Sequence, residues 1–528
     1  MAHTDEPSDR RPGVARRSLL QAAGAAALVL SPAGAATAAT RPSRRDPVPD
    51  GAFALGVASG DPLADRVVIW TRLAPDPLRL DGTGGMPPAA VPVRWEVAED
   101  ERFGRTVRRG VALARAEDAH SVHVDVAGLR PGRVYFYRFR AGDQVSPTGR
   151  TRTAPAPGTL PASWSVAIAS CQRFTDGYYT AYEAMLRDEP DLVLHLGDYF
   201  YEKDNGPGPV GRQHLPLGEC FSLADYRVRI AQVRTDPHLR AIHAAAPFAV
   251  TFDDHEVSGN YAGDIPETGA GAGASPEEFR ARKALAYKSY WEHMPLRAAQ
   301  RPRGPEILMY RRLRWGRLAT VNLLDTRQYR SDQVADVESP EAYDPERTML
   351  GSAQERWLVG DLLTSRTRWN VLAQQVPFFE TPRVGTPGDK WDGYRAARGR
   401  LLAAMARRPH AGHVVLSGDI HSNRAADLKA DFDAPSSPTV GVEFTGTSIT
   451  SSGGVVGDEP VTAVYDPDPA VPHMRFRGTG RGYVTFAVTP ESWRADYRIV
   501  GTVLRPTSSA STVATLTTSH ERPGLRHG

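Results

Sequence analysis

Cysteine is scarce: Cys171 and Cys220 are the only two in 528 residues. A disulfide framework is therefore excluded, and at most one bridge can form. One disulfide is the default for an exported protein; the alternative is one functional thiolate and one bystander. Net charge is scarce too. The formal value is +3, and Arg10, Arg11, Arg16 and Arg17 against Asp5, Glu6 and Asp9 place four minus three, or +1, of it before Ala39. The remainder, three minus one or +2, gives no electrostatic case for nucleic-acid binding. No run of about 18 uninterrupted apolar residues occurs, so no transmembrane helix is predicted. No tandem repeat is present. What remains, 41% hydrophobic and 24% charged residues, is ordinary for a globular protein with room for two or three domains.

Residues 1–38 read as a targeting segment. Ala15-Arg16-Arg17-Ser18-Leu19-Leu20 is a twin-arginine pattern, the apolar run Leu19 to Leu30 follows, and Ala36-Thr37-Ala38 is a small-x-small cleavage site. The prediction is a secreted, extracytoplasmic protein that uses the twin-arginine export machinery. That route carries folded proteins, often with a cofactor inserted, which hints at a metal loaded before export.

Residues 47–157 are expected to form an all-β domain. Arg66 to Thr71 and Val91 to Val97 are short runs rich in β-branched and aromatic residues, and His120 to Val126 alternates with period two. Gly128 to Phe139 resembles the turn and tyrosine-bearing strand of immunoglobulin- and fibronectin-like β-sandwiches. After a Pro-rich linker the pattern alternates strands with helices over residues 160–505, which argues for an α/β layered domain. Strands are predicted at Trp164–Ala169, Leu192–Leu196, Phe248–Phe252, Leu318–Leu324, Asn370–Gln374 and His413–Leu416. Ser275-Pro276-Glu277-Glu278 opens one helix and Asp392 to Arg407 holds another. The Gly/Ala stretch 269–274 reads as a mobile loop, and 506–528 as a C-terminal tail.

Four strands end in polar clusters: Ser170-Cys171-Gln172, Gly197-Asp198-Tyr199-Phe200-Tyr201-Glu202, Asp253-Asp254-His255-Glu256 with Asn260 beyond, and Gly418-Asp419-Ile420-His421. Sites in α/β folds form where loops leave the carboxyl ends of strands. Singly, each cluster is weak evidence. Asp198 could cap a helix, Asp253-Asp254 could be a solvated turn, and Asp419 with His421 could be a surface pair. Together they need a cation, because packed carboxylates without one repel and shift toward protonation.

These clusters resemble the motifs of the alkaline phosphatase D (PhoD-like) family of metallophosphoesterases. The resemblance implies an α/β/β/α sandwich behind the N-terminal β-sandwich. It implies Fe(3+) with adjacent Ca(2+) as cofactors. Cys171, Asp198 (bridging), Tyr201 and His421 match metal-ligand positions, with Asn260 and Asp419 on the calcium side. Cys171 stands where other metallophosphoesterases have Asp-x-His, which disfavours a generic zinc or manganese pair. The ligand chemistry agrees: thiolate and phenolate suit a highly charged ion such as ferric iron, and amide and carboxylate oxygens suit calcium. Cys171 is then not expected to pair with Cys220, which reads as a packed thiol.

The implied activity is hydrolysis of phosphate mono- and diesters, with metal ions neutralising charge on the phosphoryl oxygens and lowering the pKa of a nucleophilic water. His255 is a candidate proton donor to the leaving group, or a histidine bonded to its acidic neighbours for structure. Arg327 is a candidate phosphate clamp, or a plain salt bridge to Asp325 or Glu380. One alternative is a phospholipase D-type phosphodiesterase on the same scaffold, acting on lipid or wall-polymer esters. A more distant one is an exported calcium- or phosphate-binding protein without turnover. A monomer is expected.

Overall fold

The structure is a computed structural model. It describes residues 48–267, 275–381, 388–434, 436–452, 456–465 and 471–528. The leader and the Gly/Ala stretch 269–274 lie outside the described residues.

All six predicted strands of the α/β region form, with ends within about two residues of expectation. Trp164–Ala169, Leu192–His195 and Pro247–Val250 run parallel at the centre of a ten-stranded sheet. Ala319–Leu323, Trp369–Ala373, His413–Ser417 and Thr439–Thr445 run parallel in an eight-stranded sheet. The side-chain period of two decides how these sheets stack. Val166, Ile168, Leu192, Leu194, Val321, Val371, Val414 and Leu416 share one core between the sheets. The alternate residues Ala167, Ala169 and Val193 face a helical layer containing Thr180–Arg187, Leu223–Val233 and Pro276–His293. Leu372 and Val415 face helices Gly351–Thr364 and Arg395–Ala406. The result is the expected α/β/β/α sandwich. Strands buried on both faces read as continuous apolar runs, which is why they were recognisable.

Helix Pro276–His293 starts as its sequence demands. Ser275 Oγ accepts the Glu278 N–H at 3.2 Å, and the Glu278 carboxylate accepts the Ser275 N–H at 2.7 Å. Such a cap contributes about 1 kcal/mol.

The N-terminal region is a two-layer β structure, but one layer is shared. Strands Val91–Ala98, Thr106–Ala114, Val134–Ala141, Gln144–Val145 and Gly149–Arg152 make a five-stranded sheet. Its Tyr135, Tyr137 and Phe139 pack on Val67, Ile69, Val122 and Val126 of the opposite layer. Tyr135 Oη accepts the Arg130 N–H at 2.8 Å, securing the expected turn. The opposite layer, Val57–Gly60, Arg66–Arg72 and Ser121–Ala127, joins the ten-stranded sheet through parallel pairing of Val57–Gly60 with Pro247–Val250. It thereby covers an edge of the central sheet that would otherwise offer unpaired backbone groups.

The C-terminal residues, expected as a tail, also build the sheet. Ala510–Ser519 pairs with Ser492–Val500 along its length, and Arg526–His527 adds the last edge. Ala514 and Leu516 point into the core between the sheets. Threonine at the alternate positions is a strand former, and its polarity disguised the pattern.

Candidate metal centre

The carboxyl ends of both parallel sets meet, and their loops are drawn tight. Cys171 N–H donates to Gly197 O at 3.1 Å, Gln172 N–H to Asp198 O at 3.0 Å, and Ser451 N–H to Cys171 O at 3.2 Å. A Cβ at Gly197 would collide with Asp253, and one at Gly418 would sit 2.5 Å from Ser170 Oγ, so each of these positions needs glycine. Cys171, Asp198, Asn260, Asp419 and His421 all hold positive φ, between 51° and 67°. Left-handed backbone at five non-glycine residues is costly and persists at sites that the surroundings over-determine.

Cys171, Asp198 and His421 bring a sulfur, a carboxylate oxygen and an imidazole nitrogen within 4.8 Å of one another. Tyr201 joins them: its hydroxyl donates to Asp198 Oδ2 at 2.9 Å and lies 3.3 Å from His421 Nε2. Ser451 Oγ donates to the same phenol oxygen at 2.7 Å. His421 Nδ1 is 2.6 Å from the Ser452 carbonyl, which can only accept, so Nδ1 carries the proton and Nε2 offers its lone pair to the cluster. The other oxygen of Asp198, Oδ1, is buried and has no hydrogen-bond partner among the described residues.

Without a cation these groups oppose one another's ionisation. Burial, then Asp198, pushes the Cys171 thiol well up. The same two causes raise Tyr201. Burial raises Asp198 to about 6 and lowers His421 to about 4. A cation reverses each preference that favours a proton over a metal. An orphaned carboxylate oxygen beside a thiol, a phenol and an unprotonated imidazole nitrogen is a donor set that fits one. Both cysteines are free and buried, and Cys220 packs in the core on the helical side.

A second acidic group adjoins the first. Asp198, Asp254 and His255 converge, as do Asp253, Asp254 and Asp419. Burial raises Asp419 to about 7. Arg327 is fully buried among these acids. It bonds Asp253, reaches Asp389 at 2.7 Å, and lies 3.5 Å from Asp254 and 3.6 Å from Asp419. Neither partner expected from the sequence is used as an ion pair. Asp325 instead accepts the N–H groups of Arg327 and Gln328, and Glu380 pairs with Arg395. Asn260 enters by its backbone, whose N–H donates to Asp254 Oδ2 at 2.6 Å; its exposed side-chain amide lies 3.2 Å from Glu267.

His255 is held by acids on two sides. Its Nδ1–H donates to Glu202 Oε2 at 2.7 Å, and Nε2 lies 4.0 Å from Asp254. Burial works against its charge, but Asp254, Glu202 and Asp198 outweigh it and raise the imidazole to about 10. Several residues here had no role assigned from sequence. Glu202 is fully buried and also accepts the Gly259 N–H at 2.7 Å. Glu256 accepts three backbone N–H groups, from Asp198, Tyr199 and Asp253, at 3.1, 2.6 and 2.8 Å. The signal available for both was an acid beside a motif that already carried enough of them.

Residues 166–497 match the PhoD-like phosphatase family, and residues 36–155 match the N-terminal domain of PhoD-like phosphatases. Alkaline phosphatase D of Bacillus subtilis (strain 168) is 47% identical over 494 residues, spanning 90% of this chain and 82% of that protein. A solved structure described as that of PhoD superimposes with a TM-score of 0.84 at 46% identity, covering 92% of each chain.

Proposed function

The chain belongs to the PhoD-like phosphatase family, and on that basis we propose an exported phosphoesterase that cleaves phosphate mono- and diesters at an iron–calcium centre. It is a hydrolase acting on phosphoric ester bonds. The observation that carries the metal assignment is the buried, partnerless Asp198 Oδ1 beside Cys171, Tyr201 and His421. Those four residues would hold Fe(3+). Oxygens of Asp198 and Asp419 would serve Ca(2+), with Asn260 at the margin of the same group. When bound, the ions supply Lewis-acid stabilisation of phosphoryl charge and activation of water.

The chain's own residues do the rest. His255, kept protonated by Asp254 and Glu202, donates a proton to the departing oxygen. Glu202 fixes the ring through Nδ1 and leaves Nε2 to act. Glu256 ties the Asp198 and Asp253 loops together so that their carboxylates stay convergent. Arg327 offsets the charge of Asp253 and Asp389. The leader 1–38 supports export of the folded, metal-loaded chain. Asp198→Asn is expected to lose activity and bound metal together, measured by elemental analysis and ester hydrolysis; full activity in that variant sinks the proposal.

A further inference from the structure

We propose that Arg173 is the residue that grips the phosphoryl group of the substrate. This rests on the phosphoesterase assignment and adds to it a specific anion contact. Arg173 follows Cys171 by two residues, and its guanidinium lies 4.0 Å from the centroid of the Tyr201 ring. The His255 ring lies 4.2 Å from the same ring, so two cationic side chains flank the phenol that points its oxygen into the cluster. Stacking holds a guanidinium by its face and leaves its N–H edge free to donate.

That edge is not used. Among the described residues, Arg173 Nη1 is buried and has no hydrogen-bond partner, although the side chain is 15% exposed overall. The nearest carboxylate, Asp176, stands 4.0 Å from Nε. Asp176 is itself engaged by the Ser452 N–H and the Thr175 hydroxyl. A buried unpaired N–H on a cation is costly and calls for an acceptor. The backbone of Arg173 is pinned on both sides: its N–H donates to Ser451 Oγ at 3.0 Å and its carbonyl accepts from Thr450 Oγ1 at 2.8 Å. The guanidinium is thus preorganised with a vacant donor edge. Arg327, by contrast, spends Nε on Asp253 and both Nη groups on Asp389. A phosphoryl group offers the paired anionic oxygens that a guanidinium fork matches.

The test uses metal-loaded full-length protein and inorganic phosphate as probe. Its dissociation constant is measured by calorimetry, and its inhibition constant against p-nitrophenyl phosphate hydrolysis. Arg173→Gln is expected to weaken phosphate binding about 10- to 100-fold with metal content unchanged. Arg173→Lys keeps the charge but loses the fork, and is expected to weaken binding about 3- to 10-fold; it carries the test should the glutamine variant not accumulate. Unchanged phosphate affinity in both variants overturns the assignment. Loss of metal in step with phosphate also overturns it, because Arg173 would then serve Tyr201 rather than the substrate. Wild-type protein that hydrolyses no ester would instead remove the phosphoesterase reading itself.

Discussion

Replacing Glu202 by glutamine tests whether His255 works as an acid. The substitution keeps the shape and one acceptor oxygen but deletes the charge that faces Nδ1 at 2.7 Å. Its cost to the imidazolium follows from the interaction lost. A hydrogen bond to a charged group is worth about 1.5–3 kcal/mol, which at about 1.4 kcal/mol per pH unit lowers the His255 pKa by about 1 to 2 units. The sign is fixed by the direction of the native shift. Acids raise His255 above the ordinary histidine value to about 10, so its proton-donating form is present below that pH and lost above it. Bound cations pull the value down, but they do so in wild type and variant alike. The basic limb of kcat/KM should therefore move to lower pH in Glu202→Gln by about 1 to 2 units. An alkyl phosphodiester needs its leaving oxygen protonated, whereas p-nitrophenolate leaves unaided. At pH values above the shifted limb the alkyl substrate should slow about 10-fold or more, and the p-nitrophenyl ester much less. Profiles that coincide for wild type and variant on the alkyl substrate would refute the proton-donor role and leave His255 as a structural partner of Glu202.

Three further outcomes are expected. Gly197→Ala places a side chain against Asp253 at φ +117° and should cost about 2–5 kcal/mol in denaturant unfolding, whereas a change within error would contradict the tight loop packing. Glu256→Ala strands three buried backbone N–H groups and should lose at least about 3 kcal/mol by the same assay, with metal retention falling alongside. Chelation should lower Tm because Asp198, Asp253, Asp254 and Asp419 are then left with only Arg327 and His255 to offset their charge, and adding back calcium should raise it, the stabilisation growing with the logarithm of free calcium to about 4 kcal/mol at a thousand times Kd; a Tm indifferent to metal would argue against the centre.

The layered fold was legible because its strands are buried on both faces, so the apolar runs Leu192-Val193-Leu194 and Val414-Val415-Leu416 mark them. The shared N-terminal layer was not. Val57–Gly60 is a four-residue strand whose partner, Pro247–Val250, lies almost 190 residues away, and no local pattern encodes such a pairing. The strand Ala510–Ser519 was hidden by its composition, since the half that faces solvent is serine and threonine and reads as a tail until the alternation of Ala514 and Leu516 is set against a neighbouring strand.

Ligand types at strand ends could be recognised one by one, because thiol, phenol and imidazole are rare enough there to stand out. Which cation answers which acid could not. Arg327 and Arg173 each follow an apolar strand within four residues, and each can be written as a phosphate clamp. The difference lies in what the other loops bring to them. Asp253 and Asp389, from distant parts of the chain, converge on Arg327 and consume its donors. Among the described residues the one carboxylate near Arg173 is Asp176, at 4.0 Å, and it is already bonded elsewhere. Whether a buried guanidinium serves the fold or the substrate is thus decided by the surplus of donors over nearby acceptors, a quantity that exists only after the loops have met.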